Sequence, residues 1–170
     1  MAEQGTYERF PLWIVVLSNL VTASIYAIGA YILAGFGVIA SALFLLYCLS
    51  LELRVLKRSC VNCYYYGRIC GFGKGRVCAL LFRKGDPKKF AEDEISWKDM
   101  LPDMMVLAFP LIGAALLLIR GFTWQLVLLL AVYLALNLAG NAVIRGSFTC
   151  KFCRQRKLGC PAEKLFSKGK

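Results

Sequence analysis

Among side chains able to bind metal, carry electrons or act as nucleophiles, this sequence concentrates one kind: it has eight cysteines and no histidine in 170 residues. Six of the cysteines form two triplets of identical spacing. Cys60-Val61-Asn62-Cys63 is followed after six residues by Cys70, and Cys150-Lys151-Phe152-Cys153 after six residues by Cys160. Two thiols two residues apart can face one soft metal ion from a tight turn, and a third at fixed distance adds a ligand. The lack of histidine excludes imidazole catalysis, bis-histidine haem and histidine zinc sites. A thioredoxin-like dithiol needs a strand and helix around it, which these basic, glycine-containing loops lack. No residue stands out as catalytic, so binding is the expectation, with zinc as the metal and a 4Fe-4S cluster as the alternative. Cys160-Pro161 suits the alternative, although the C-x2-C-x2-C run of bacterial ferredoxins is absent. Cys78 could complete a four-thiolate site with Cys60, Cys63 and Cys70, which would leave Glu163 as the one nearby oxygen ligand for the second triplet. Cys48 reads as a small buried hydrophobe.

Residues 150–160, with the basic run Arg154-Gln155-Arg156-Lys157 after the second cysteine, resemble one half of the binuclear zinc cluster of fungal transcription factors. Residues 60–70 resemble it more weakly, with Tyr64, Tyr65 and Tyr66 in place of much of the basic run. The resemblance implies that six thiolates hold two zinc ions, with Cys60 and Cys150, the first cysteine of each triplet, as bridges. Such a cluster carries a net charge of minus two, which Arg58, Arg68, Arg154, Arg156 and Lys157 would offset while favouring the thiolate form. Nucleic acid is not an expected partner, because a long apolar stretch separates the triplets.

The elements that must position these cysteines are apolar. Of the residues, 59% are hydrophobic and 18% charged, and the mean hydropathy is +0.61. Phe10 to Leu51 is a run of 42 uncharged residues, which as helix would be about 63 Å long against a hydrocarbon core of about 30 Å. It therefore folds into two spans, Leu12 to Leu33 and Val38 to Leu56, turning at Ala34-Gly35-Phe36-Gly37. A second hairpin comprises Met104 to Ile119 and Phe122 to Ile144; the first of these helices is short and carries Pro110 after Pro102, so the expectation is either a kink or an extension back to about Trp97. The expected fold is thus an all-α integral membrane protein with four transmembrane helices in two duplicated hairpins, each followed by a cysteine-rich metal-binding loop. Its segments are an N-terminus (1–11), hairpin one (12–57), cysteine loop one (58–82), an interfacial amphipathic linker (83–103), hairpin two (104–145) and a basic cysteine-rich tail (146–170).

Charge sets the orientation. Of 21 Lys and Arg, 11 lie in 52–103 and 8 in 145–170, while Arg120 alone lies in the turns on the other side. The positive-inside rule then places both termini and both cysteine segments in the cytoplasm of a multi-pass cell-membrane protein. That reducing compartment favours metal binding over disulfides. The basic tail should attract anionic lipid headgroups, and a cytoplasmic protein or a second copy of the chain are further candidate partners. Within the spans, Asn137 and Asn141 share a helix face and read as interhelical hydrogen-bond donors, with little support for a transport path. Gly71-Phe72-Gly73-Lys74-Gly75 lacks the spacing of a P-loop. Asp86-Pro87 and Ser96-x-x-Asp99 read as helix starts in the linker.

Overall fold

The computed structural model describes residues 5–92 and 96–161. Among these the chain is helical apart from loops, with no strand and one isolated bridge, between Tyr7 and Cys153. Four helical stretches have the length and composition to cross a membrane: Leu12–Ala34, Val38–Asn62, Lys98–Arg120 and Trp124–Phe152. Their named helices are α1 (Leu12–Ala34), α2 (Val38–Arg58), α5 (Trp97–Arg120) and α6 (Trp124–Ala135, continuing in wider turns), with two short ones between, α3 (Lys74–Leu81) and α4 (Pro87–Glu92). The turn between α1 and α2 needs glycine at Gly37, whose φ of 115° lies in the left-handed region. Asp86 starts α4 as the sequence predicts, its Oδ1 accepting from Lys88 N at 2.9 Å with Pro87 as first residue.

α5 begins at Trp97, the longer of the two starts the sequence allows, taking in Lys98, Asp99, Pro102 and Asp103 ahead of the uncharged core from Met104. One helix exceeds its predicted limits. The fourth helix does not stop near Ile144. It widens into π-type turns at Leu136–Gly140 and Ile144–Thr149 and ends in a 3-10 turn at Cys150–Phe152. The second cysteine triplet therefore begins on the helix itself rather than in a free tail. Asn137 and Asn141 also depart from expectation: each donates to the carbonyl four residues back on its own helix, Tyr133 O at 2.9 Å and Asn137 O at 3.2 Å. These local bonds accompany the loosened turns, where the usual i to i−4 ladder is interrupted.

The chain forms two compact units, one gathering residues from 1–19, 53–97 and 143–170, the other 20–52 and 98–142. In the second unit Ile25, Ala30, Phe44, Cys48, Leu51, Val106 and Tyr133 make the core, and Cys48 is buried there as a small apolar residue. Pro110 has no N–H for Val106 O, four residues earlier, and the buried hydroxyl of Tyr133 donates to that carbonyl instead. Tyr47 Oη similarly donates to Pro102 O at 2.7 Å. Leu20, Val38, Ile39, Leu43, Ile119 and Leu128 remain exposed. Hydrocarbon solvates such side chains without penalty, whereas water would not.

Candidate thiol site

Four of the seven loop cysteines, Cys60, Cys63, Cys150 and Cys153, lie in two turns with the same backbone course. α2 ends at Arg58, and after Ser59 a 3-10 turn, Cys60–Asn62, brings Cys63 N to Cys60 O at 3.3 Å. At the end of the fourth helix, Thr149 precedes the turn Cys150–Phe152, and Cys153 N meets Cys150 O, also at 3.3 Å. Ser59 and Thr149 share a φ of −105°, and Cys63 and Cys153 are both extended, with φ of −79° and −77°. The match continues one step further, where Tyr66 N donates to Cys63 O at 3.0 Å and Arg156 N to Cys153 O at 3.2 Å.

The two segments are hydrogen-bonded to each other. Tyr64 N donates to Gln155 Oε1 at 2.7 Å, and Arg154 N donates to Tyr65 Oη at 3.0 Å. Gln155 is buried and also donates through Nε2 to Gly159 O at 3.1 Å, steadying the approach to Cys160. Tyr65 Oη in turn donates to Tyr7 O at 2.6 Å. The N-terminal segment then acts as a strap across both triplets: Tyr7 N bonds Phe152 O and Phe10 N bonds Ile69 O, each at 3.0 Å. Beneath it Phe10, Ile14 and Tyr65 form an apolar cluster, against which Cys63, Cys70 and Cys153 pack. Gly75 makes room for the first loop, since a Cβ there would lie 2.1 Å from Tyr65 O.

Exposure and charge differ among the thiols. Cys150 is exposed, Cys60, Cys63, Cys70, Cys153 and Cys160 are half-buried, and Cys78 on α3 is fully buried with its thiol 3.5 Å from Leu56 O. Burial pushes the Cys63 thiol up to about 12; the backbone N–H of Tyr65 opposes this, and Cys153, Cys70 and Cys160 reinforce it. Burial likewise raises Cys153, against N–H donation from Arg156 and Gln155 and with help from Cys150 and Cys160. At these two thiols burial is the largest influence, and the groups that oppose it are backbone N–H donors, not the basic side chains. Instead Arg68 and Arg154 flank the ring of Tyr64 at 4.8 and 5.1 Å, and Arg154 forms an ion pair with Glu8 at 2.5 Å. Cys60 lies within electrostatic reach of Cys63, Cys70 and Cys78.

Both triplets are thus neighbours in one unit. Even so, among the described residues no three Cys, Asp or Glu side chains converge closely enough to hold a metal ion. Coordination from this arrangement requires the thiols to reorient and lose their protons, which a soft divalent cation can drive. Glu163 lies outside the described residues, as does the rest of the basic tail from residue 162 onward. Sequence reading missed Tyr65, Gln155 and the Tyr7–Phe10 strap as the parts that join the triplets. Their only signal was aromatic residues clustered beside each cysteine turn. No protein family, curated protein or solved structure matches this chain.

Proposed function

We propose that this chain is a non-catalytic multi-pass protein of the cell membrane whose cytoplasmic thiol module binds zinc and fastens two duplicated halves together. One observation carries the reading: both C-x2-C-x6-C segments adopt the same turn and are bonded to each other through Tyr64, Tyr65, Arg154 and Gln155. Identical turns following two apolar hairpins support duplication, and the distribution of Lys and Arg supports a cytoplasmic location. Cys60, Cys63, Cys70, Cys150, Cys153 and Cys160 are the ligands in this reading, and six thiolates suffice for two ions when two of them bridge. The basic surface around them serves anionic lipid headgroups or an acidic face of a cytoplasmic protein. Elemental analysis of protein purified without oxygen, together with an optical spectrum, tests it. About two zinc per chain and a colourless sample are expected. Iron with a visible band bleached on reduction would replace zinc by a 4Fe-4S cluster, and a metal-free chain that keeps its fold in chelator would remove the metal altogether.

A further inference from the structure

The two triplets supply six thiols, and a seventh, Cys78, is held beside the first of them. α3 is stitched to the first cysteine loop: Gly67 N donates to Gly75 O at 3.0 Å, and Gly75 lies so close to Tyr65 O that no Cβ fits between them. The helix rests on the turn Cys60–Asn62. That packing buries Cys78 completely and leaves its thiol 3.5 Å from Leu56 O, the carbonyl one helical turn before Cys60.

Cys63 holds a different place, between the two triplets. The residue after it, Tyr64, bonds Gln155, and Cys63 packs with Cys70 and Cys153 against the one cluster of Phe10, Ile14 and Tyr65. Electrostatic influence divides the same way. Cys60 feels Cys70 most, then Cys78 and Cys63, whereas Cys63 feels Cys153 most, then Cys70 and Cys160. Cys63 is thus a thiol common to both groups. Two tetrahedral ions need eight metal–sulfur bonds, and seven thiolates supply them when one is shared.

We propose that Cys78 is the seventh ligand and Cys63 the single bridge, so that one zinc takes Cys60, Cys63, Cys70 and Cys78 and the other takes Cys63, Cys150, Cys153 and Cys160. This rests on the reading of the module as a zinc site. It moves the bridge away from Cys60 and Cys150, where the resemblance to the fungal cluster puts it, and it completes the second set without Glu163. Among the described residues the thiols do not converge before metal arrives, so each turns toward its ion and gives its proton to water on binding.

The test counts zinc by native mass spectrometry on the full chain in neutral detergent, purified without oxygen and loaded in competition with a chelator. Wild-type protein should hold about two ions, C78A about one, and C48A, altered at a buried cysteine of the other unit, about two. C150S/C153S/C160S should keep one ion, and C78A added to it should empty the site. Cobalt in place of zinc in C150S/C153S/C160S should show the visible spectrum of a tetrahedral four-sulfur site, which decides the matter even where C78A loses its helical circular dichroism. C63A should weaken both ions, whereas C60A and C150A should each weaken one. Two ions in folded C78A, or an empty C150S/C153S/C160S, would overturn the seventh ligand while leaving the zinc reading intact. Loss of both ions in C60A and in C150A would return the bridges to those residues. A wild-type chain that takes up no zinc would refute the zinc reading itself.

Discussion

At Cys63 two influences oppose each other: packing against Phe10, Ile14 and Tyr65 removes water, while the Tyr65 N–H offers the sulfur a donor. Desolvation is the larger, so the thiol keeps its proton at neutral pH and reacts slowly. The metal-free protein should therefore show a hierarchy of alkylation by a maleimide. Exposed Cys150 should react at least about tenfold faster than Cys63, Cys153 and buried Cys78, as read by mass spectrometry of peptides. Equal rates would show that the site is open. Zinc should then protect Cys150 in particular, because exposure can no longer expose a sulfur bound to metal. The triplets themselves are legible as spacing, but the contacts of Tyr65 and Gln155 are not. Tyr65 meets Arg154 across 89 positions, and a hydroxyl or amide carries no periodicity that would announce its partner.

Among the elements, the apolar helices are the most legible, because an uncharged run longer than the hydrocarbon thickness has few alternatives. Their ends are less so. The start of α5 at Trp97 is one of two that the sequence allows, because charges and Pro102 precede the apolar core while a helix tolerates proline in its first turns. The continuation of the fourth helix through Arg145, Gly146 and Ser147 is hidden because wide turns break the periodicity on which reading depends. The kink-prone Pro110 gives a test confined to one helix pair. Tyr133→Phe should destabilise the protein by about 1–3 kcal/mol, because it deprives the buried Val106 carbonyl of the Tyr133 hydroxyl. In Pro110→Ala the new N–H can serve that carbonyl, so Tyr133→Phe should cost less in that background. A double-mutant cycle in denaturant unfolding measures the difference, and additive costs would rule out this exchange of donors.

For the whole molecule, the charge distribution is the strongest guide to sidedness, since 20 of 21 Lys and Arg fall in segments predicted to share one side. A membrane-impermeant maleimide applied to intact cells should leave Cys150 unmodified, and the same reagent applied to inverted vesicles stripped of metal by a chelator should modify it. Labelling from outside would reverse the orientation and place the thiols in a compartment where disulfides compete with metal. The partition of the chain into two units was not legible. It depends on contacts among three distant segments, whereas hydropathy registers only what each segment is made of.

The strap formed by Tyr7 and Phe10 has a consequence for biosynthesis. Its hydrogen bonds reach Ile69 in the middle of the chain and Phe152 near its far end. A ribosome that has delivered the first three apolar helices has therefore delivered only part of what that knot requires, and Tyr7 must wait for the last hairpin to be inserted before it finds its partner. Nascent chains arrested before residue 150 should thus present their early cysteines unguarded to the cell's quality-control machinery.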